Sequence, residues 1–144
     1  MSRQRQDSLV GLLLPLADRY LLLPNVAVAE LIDHQPGVRR ADAEPWDLGL
    51  ITWRNQPVPL LGFEAACNAP SPVGERARIV VLHALGNSGR RFIALLIQAI
   101  PRSCRLDAQL SYVDVPLAPL ELAAVQVGDV VARVPDLEGL EGLL

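Results

Sequence analysis

Residues 49–61 read Gly49-Leu50-Ile51-Thr52-Trp53-Arg54-Asn55-Gln56-Pro57-Val58-Pro59-Leu60-Leu61. Apolar residues dominate both halves of this segment, and polar ones gather at its middle. Leu50 to Arg54 and Pro57 to Leu61 are expected to be extended, joined across Asn55-Gln56 as a two-residue hairpin connection. Pro57 and Pro59 alternate, so their missing N–H groups face one side. Their strand is therefore expected at a sheet edge or at a break in pairing. An arginine at the tip of an apolar hairpin is ordinarily a solvated charge. Upstream, Glu30 is flanked by apolar Ala27, Val28, Ala29, Leu31 and Ile32. An acid in such a setting sits at a rim or is paired. Spacing alone does not pair it with Arg54, and two independent surface charges is the simpler reading.

Short apolar segments between turn residues continue in both directions. Leu9 to Leu16 reads as a strand buried on both faces, or as an edge strand because of Pro15. Ala17-Asp18-Arg19 is a turn, Tyr20 to Leu23 a strand, and Pro24-Asn25 can start one helical turn through Val28. Glu30 to His34 is a further strand. Pro45 to Gly49 is expected to be a helical turn closed by glycine. Arg78 to Leu85 and Arg91 to Gln98 are strands joined through Gly86-Asn87-Ser88-Gly89, which supplies positive φ angles. Ala99 to Leu106 is extended and broken by Pro101, and 109–118 is ambiguous. Val127-Gly128-Asp129 turns into a strand from Val130 to Val134. Pro135-Asp136 starts a short C-terminal helix with leucines 137, 140, 143 and 144 on roughly one face. About ten short strands predict an all-β barrel or sandwich. Residues 1–8 are expected to be flexible and 9–144 to form one domain.

The whole chain has 144 residues, 51% hydrophobic and 20% charged, enough for a sizeable core. A formal charge of −3 provides no basic field for phosphate backbones, so nucleic acid is excluded as an expected partner. The N-terminal apolar run is too short to span a bilayer and has no cleavage-site pattern, so a cytoplasmic protein without direct membrane insertion is expected. Catalytic chemistry finds little support. His34 and His83 have no acid at ligand spacing, no serine sits in G-x-S-x-G, and lysine is absent. Cys67 and Cys104 form no C-x-x-C pair and read as small apolar fillers. No catalytic residue, cofactor or metal site is expected. A small-ligand-binding β-barrel is the alternative; it requires a dry cavity with a few polar groups.

Taken in order, these motifs resemble the CheW-like family of chemotaxis coupling proteins. Gly49, Arg54, Val58 and Pro59 match the family form G-x-x-x-x-R-G-x-x-V-P-x-x-D-L. Leu23-Pro24 and Val28-Ala29-Glu30-Leu31 resemble the segment before it. Arg78 to Leu82, Phe92 to Gln98 and Gly128 to Leu140 resemble later strands and the closing helix. The resemblance implies a mainly all-β fold: two interleaved five-stranded SH3-like barrels with short helices, one at the C-terminus. It also implies a non-enzymatic adaptor that binds the regulatory domain of a chemotaxis histidine kinase and the cytoplasmic tip of a methyl-accepting chemoreceptor. The receptor's helical hairpin would lie in an apolar groove between the barrels, in membrane-associated arrays. Glu30 and Arg54 match family positions that pair beside that groove. Val28, Glu30, Leu31, Arg54 and Val58 are the candidate partner-binding residues. Asn55 stands where the family has glycine, Gly62-Phe63 where it has Asp-Leu, and Gln98 where an acid is common. These departures suggest a divergent member, such as an accessory adaptor of a type IV pilus system controlling twitching motility.

Overall fold

The computed structural model describes residues 10–86, 88–106 and 110–144. Residues 1–8, expected to be flexible, lie outside that range, as do Asn87 of the expected glycine loop and 107–109. Eleven strands run β1 (Val10–Pro15), β2 (Tyr20–Pro24), β3 (Val28–Asp33), β4 (Asp47–Trp53), β5 (Gln56–Leu61), β6 (Arg78–His83), β7 (Phe92–Ile97), β8 (Arg102–Arg105), β9 (Ser111–Tyr112), β10 (Glu121–Val127) and β11 (Val130–Pro135). A 3₁₀ turn (Asn25–Ala27) separates β2 from β3. Two short helices, α1 (Phe63–Ala66) and α2 (Leu137–Glu141), complete the set.

The strands form two curled sheets. The first has the order β8-β1-β2-β11-β10-β9, and the second β3-β6-β7-β5-β4. The second sheet is thus cut from the middle of the chain, while the first combines its two ends. They meet where β2 runs parallel to β11 through Ala132↔Tyr20 and Arg133↔Leu21.

Side-chain alternation explains the near-continuous apolar strands. In β1 and β2, Leu13 and Leu22 point into the first sheet's own core, with Val125 and Ala132. Leu14, Leu21 and Leu23 point the other way. In β6 and β7, Ile79, Val81, Ala94 and Leu96 fill the second sheet's interior. Val80, Leu82, Ile93, Leu95 and Ile97 face outward and meet Leu14, Leu21 and Leu23 in a shared core. Phe63 after β5 and Leu140 of α2 seal that core. Each such side chain, fully buried, contributes about 1.5–3 kcal/mol.

Three glutamates are buried at the joints, and sequence pattern flagged none of them. Glu64 of α1 accepts from the Ala17 N–H at 2.9 Å and from Ser71 Oγ at 3.2 Å. Glu141 of α2 accepts from the Leu85 and Ser88 N–H groups at 2.6 and 2.8 Å, and from Ser88 Oγ at 2.8 Å. Glu121 takes Arg19 Nη1 at 2.7 Å, Arg133 Nη1 at 2.9 Å and the Ala118 N–H at 2.9 Å. Arg19 also forks onto Asp18 through Nε and Nη2, at 2.8 and 2.9 Å, which holds the Asp18 carboxyl below its usual range.

Several expectations need correction. The hairpin tip is Arg54-Asn55, because Trp53 pairs with Gln56. Residues 47–49 belong to β4, which carries a bulge between Asp47 and Leu50, so the expected helical turn at Pro45 to Gly49 does not form. Pro15 does not make β1 an edge: β1 lies between β2 and β8. Strand β10 and helix α1 were not anticipated, and the first sheet has six strands because two-residue β9 extends it. The proline expectation agrees with the structure: β5 pairs with β7 only at Leu60 and Leu61, so Pro57 and Pro59 sit where that side is unpaired.

Removing Glu121 tests the joint. Arg19 and Arg133 have side chains only 13% and 23% exposed; without Glu121, Arg19 would keep Asp18 and Arg133 only the Pro116 carbonyl. Glu121→Ala is expected to lower unfolding free energy by about 1–3 kcal/mol in urea titration, the scale of leaving a hydrogen-bonding partner unsatisfied.

Candidate partner-binding site

The second sheet curls until its edge strands β3 and β4 face each other, and side chains close most of that seam. Nearest the chain crossing, Val38 and Leu50 exchange two backbone hydrogen bonds, Val38 N–H to Leu50 O at 2.9 Å and Leu50 N–H to Val38 O at 3.1 Å. Gly49 permits this approach: its φ is +99°, and a Cβ there would lie 2.6 Å from the Val38 carbonyl carbon. Further along, the Gln35 amide reads the Thr52 backbone at both ends. Its Nε2 donates to Thr52 O at 3.2 Å and its Oε1 accepts from Thr52 N–H at 3.1 Å. At the mouth, Glu30 Oε1 accepts from Trp53 Nε1 at 2.9 Å and from Arg54 Nη2 at 3.2 Å. The Arg54 guanidinium lies 4.7 Å above the Trp53 ring, and that ring meets Phe92 edge-on at 4.7 Å.

Local backbone chemistry places Arg54. Arg54 and Asn55 both have positive φ, 50° and 62°, as a two-residue hairpin of the primed type demands. Asparagine is the non-glycine residue best suited to that region, which accounts for Asn55 where glycine is usual. The Glu30–Arg54 ion pair is exposed, with side chains 41% and 67% accessible. Such a pair contributes about 0–1 kcal/mol to stability, so its geometry matters more than its strength.

The candidate residues divide among three environments. Glu30 pairs across the sheet with Val81, which fills the second barrel. Leu31 pairs with Val80 and Val28 with Leu82, both in the shared core, so Val28 and Leu31 carry the inter-barrel face toward the surface. Leu31 is 39% exposed there. Val58 is buried at 1% exposure among Ile51, Leu60 and Ile79. The structure therefore brings Glu30 and Arg54 together, sets Val28 and Leu31 on the adjoining face, and places Val58 inside the barrel, where it supports the hairpin. Trp53, Gln35 and Phe92 complete the seam and were not among the expected residues. The one available signal was an aromatic residue beside the arginine at the hairpin tip.

The other departures have equally local causes. At Gly62, a Cβ would meet Ser71 Oγ at 2.7 Å, and that oxygen accepts from the Ala65 N–H. Gln98 accepts from the Gly74 N–H at 2.9 Å and donates to Pro72 O at 2.7 Å, two roles an ionised acid could not fill together. His83 is exposed at the end of β6, its ring 5.6 Å from Phe92. Among the described residues no three His, Cys, Asp or Glu side chains converge as metal ligands. Cys67 and Cys104 are free thiols, both pushed above the ordinary thiol pKa by burial. No helix among the described residues is long and apolar enough to cross a membrane.

The fold is thus two curled sheets sharing one core, with a side-chain seam closing the second. The chain belongs to the CheW-like domain family, whose model matches residues 10–142. That family is one of non-catalytic scaffolds that couple chemoreceptors to a kinase. Among solved structures, the chain is similar to the scaffolding protein TtCheW from Thermoanaerobacter tengcongensis. The match has 15% sequence identity and a TM-score of 0.77, covering 92% of this chain and 87% of that one. At that identity the likeness speaks for the fold alone. A search of curated proteins returned no match.

The turn geometry carries a prediction. Asn55→Gly is expected to hold or slightly raise thermal stability, while Asn55→Val, a β-branched residue at positive φ, should cost at least about 1 kcal/mol by denaturant titration. Equal stability of the two variants would show that the tip is not held in this conformation.

Proposed function

We propose that this chain is a non-catalytic coupling protein. It joins the cytoplasmic tip of a chemoreceptor to the regulatory domain of a chemotaxis-type histidine kinase, recruited to membrane-associated receptor arrays. The observation that carries this reading is the continuity of Val28 and Leu31 with the shared core, beside the ordered Glu30–Arg54 pair. An apolar face ending at a fixed charge pair suits an amphipathic helix, which lays its apolar side against the face and sets its polar side at the rim. The alternative, a small-ligand barrel, fits less well. The second barrel's interior is filled by side chains such as Ile51, Trp53, Val58 and Leu60.

Titration against a receptor hairpin fragment and a kinase regulatory domain tests the proposal. Absence of binding to both at high micromolar concentration would sink it. Arg54→Glu is expected to weaken receptor binding about tenfold while leaving the melting temperature nearly unchanged, as for an exposed charge. Adding Glu30→Arg should restore part of that loss. Parallel loss of stability and binding, without rescue, would make Arg54 purely structural. The finer reading, an accessory adaptor of a type IV pilus chemosensory system, is tested by deletion. Twitching should fall with swimming intact, and the reverse pattern would assign the protein to flagellar control.

A further inference from the structure

We infer that Trp53 is the positioning residue of this site, fixing Glu30 and Arg54 in the one arrangement a partner reads. The inference rests on the coupling function proposed above. Two exposed, oppositely charged side chains do not hold a single geometry unaided, because their attraction in water is weak and both lose rotamer freedom on pairing. Here a third group supplies the order. Trp53 is 6% exposed and ends β4, so its ring is fixed by the barrel interior and by Phe92. From that position its Nε1–H holds Glu30 Oε1, and its face carries the Arg54 guanidinium. The same carboxylate oxygen accepts from both residues. Arg54 is thus located by its turn backbone, the indole face and the carboxylate, and each contact is a different kind of interaction. Among the described contacts only Nη2 makes a hydrogen bond, which leaves the other N–H groups of the fork for a partner. A partner carboxylate meeting that fork would find it already oriented, without an ordering cost at binding.

The indole makes the inference measurable. The chain has two tryptophans, Trp46 and Trp53, so a uniformly ¹⁵N-labelled sample gives two indole N–H resonances. Glu30→Gln is expected to shift the Trp53 indole resonance and leave that of Trp46 in place. Trp53→Phe keeps an aromatic platform but removes the donor. It should keep the cooperative melt and weaken binding of the receptor hairpin fragment about tenfold, the scale of one hydrogen bond to a charged group. A double variant of Trp53→Phe with Glu30→Ala, which has no acceptor, should bind no worse than the weaker of those two single variants, because both substitutions remove the same contact. An unmoved Trp53 resonance in Glu30→Gln overturns the inference. So does wild-type affinity in a folded Trp53→Phe. The Glu30→Gln arm changes a half-exposed side chain and decides the matter even if Trp53→Phe fails to fold. Its resonance requires no partner, so a failure of the coupling reading, seen as no binding by the wild type, is separable from a failure of this one.

Discussion

The rest of the molecule depends on two-sided burial of four strands. β1, β2, β6 and β7 each give one row of side chains to their own sheet and the other to the core between the sheets. Neither sheet can expose its outer face to water without uncovering leucines and isoleucines that belong to the common interface. The two sheets therefore share one buried interface despite having separate interiors. The buried glutamates act at the edges of this arrangement. Glu64 and Glu121 both hold the β1–β2 turn, one through the Ala17 N–H and the other through Arg19, while Glu141 ties the C-terminal helix to the β6–β7 loop. The apolar interface supplies the cohesion, and the carboxylates fix which loops lie across it.

Because the shared core occupies one face of the second sheet, the sheet's curl brings β3 and β4 together on the far side. Their closure is mostly a side-chain affair, through Gln35 to Thr52 and Glu30 to Trp53 and Arg54. The candidate site is where this seam reaches the surface. Its charge pair and the apolar face of Val28 and Leu31 are neighbours because Glu30 and Leu31 serve opposite sides of β3, and the bulge between Val28 and Glu30 puts Val28 on the side of Leu31.

Much of this was legible in the sequence for a specific reason. Strands buried on both faces lose the alternating pattern and become apolar runs, which is what Ile79 to Leu82 and Ile93 to Ile97 are. Turns with Gly128 or with Asp18 announced themselves through backbone preference. The hairpin tip was misplaced by one residue because arginine is an uncommon choice for positive φ, and Asn55-Gln56 looked the better turn. β10 escaped notice because Glu121, Ala123 and Ala124 carry weak strand preference, and its place comes from pairing with β11 along its length. The buried glutamates left no local trace, since their partners are backbone amides and arginines distant along the chain. The resemblance identified the Glu30–Arg54 pair, but Trp53 as its shared partner required coordinates.

The parallel contact between β2 and β11 has a consequence for synthesis. All five strands of the second sheet lie within one continuous stretch, so they can pair as soon as that stretch has left the ribosome. The first sheet must wait. β1 and β2 emerge early, yet β8, the outer neighbour of β1, follows the whole second sheet, and β11, the outer neighbour of β2, is the last strand made. Through most of translation Leu13 and Leu22 lack their own barrel core, and β1 and β2 are a hairpin with both edges open. Vectorial synthesis thus exposes the first barrel to aggregation or chaperone capture for longer than the second, although in the finished protein the two share one core.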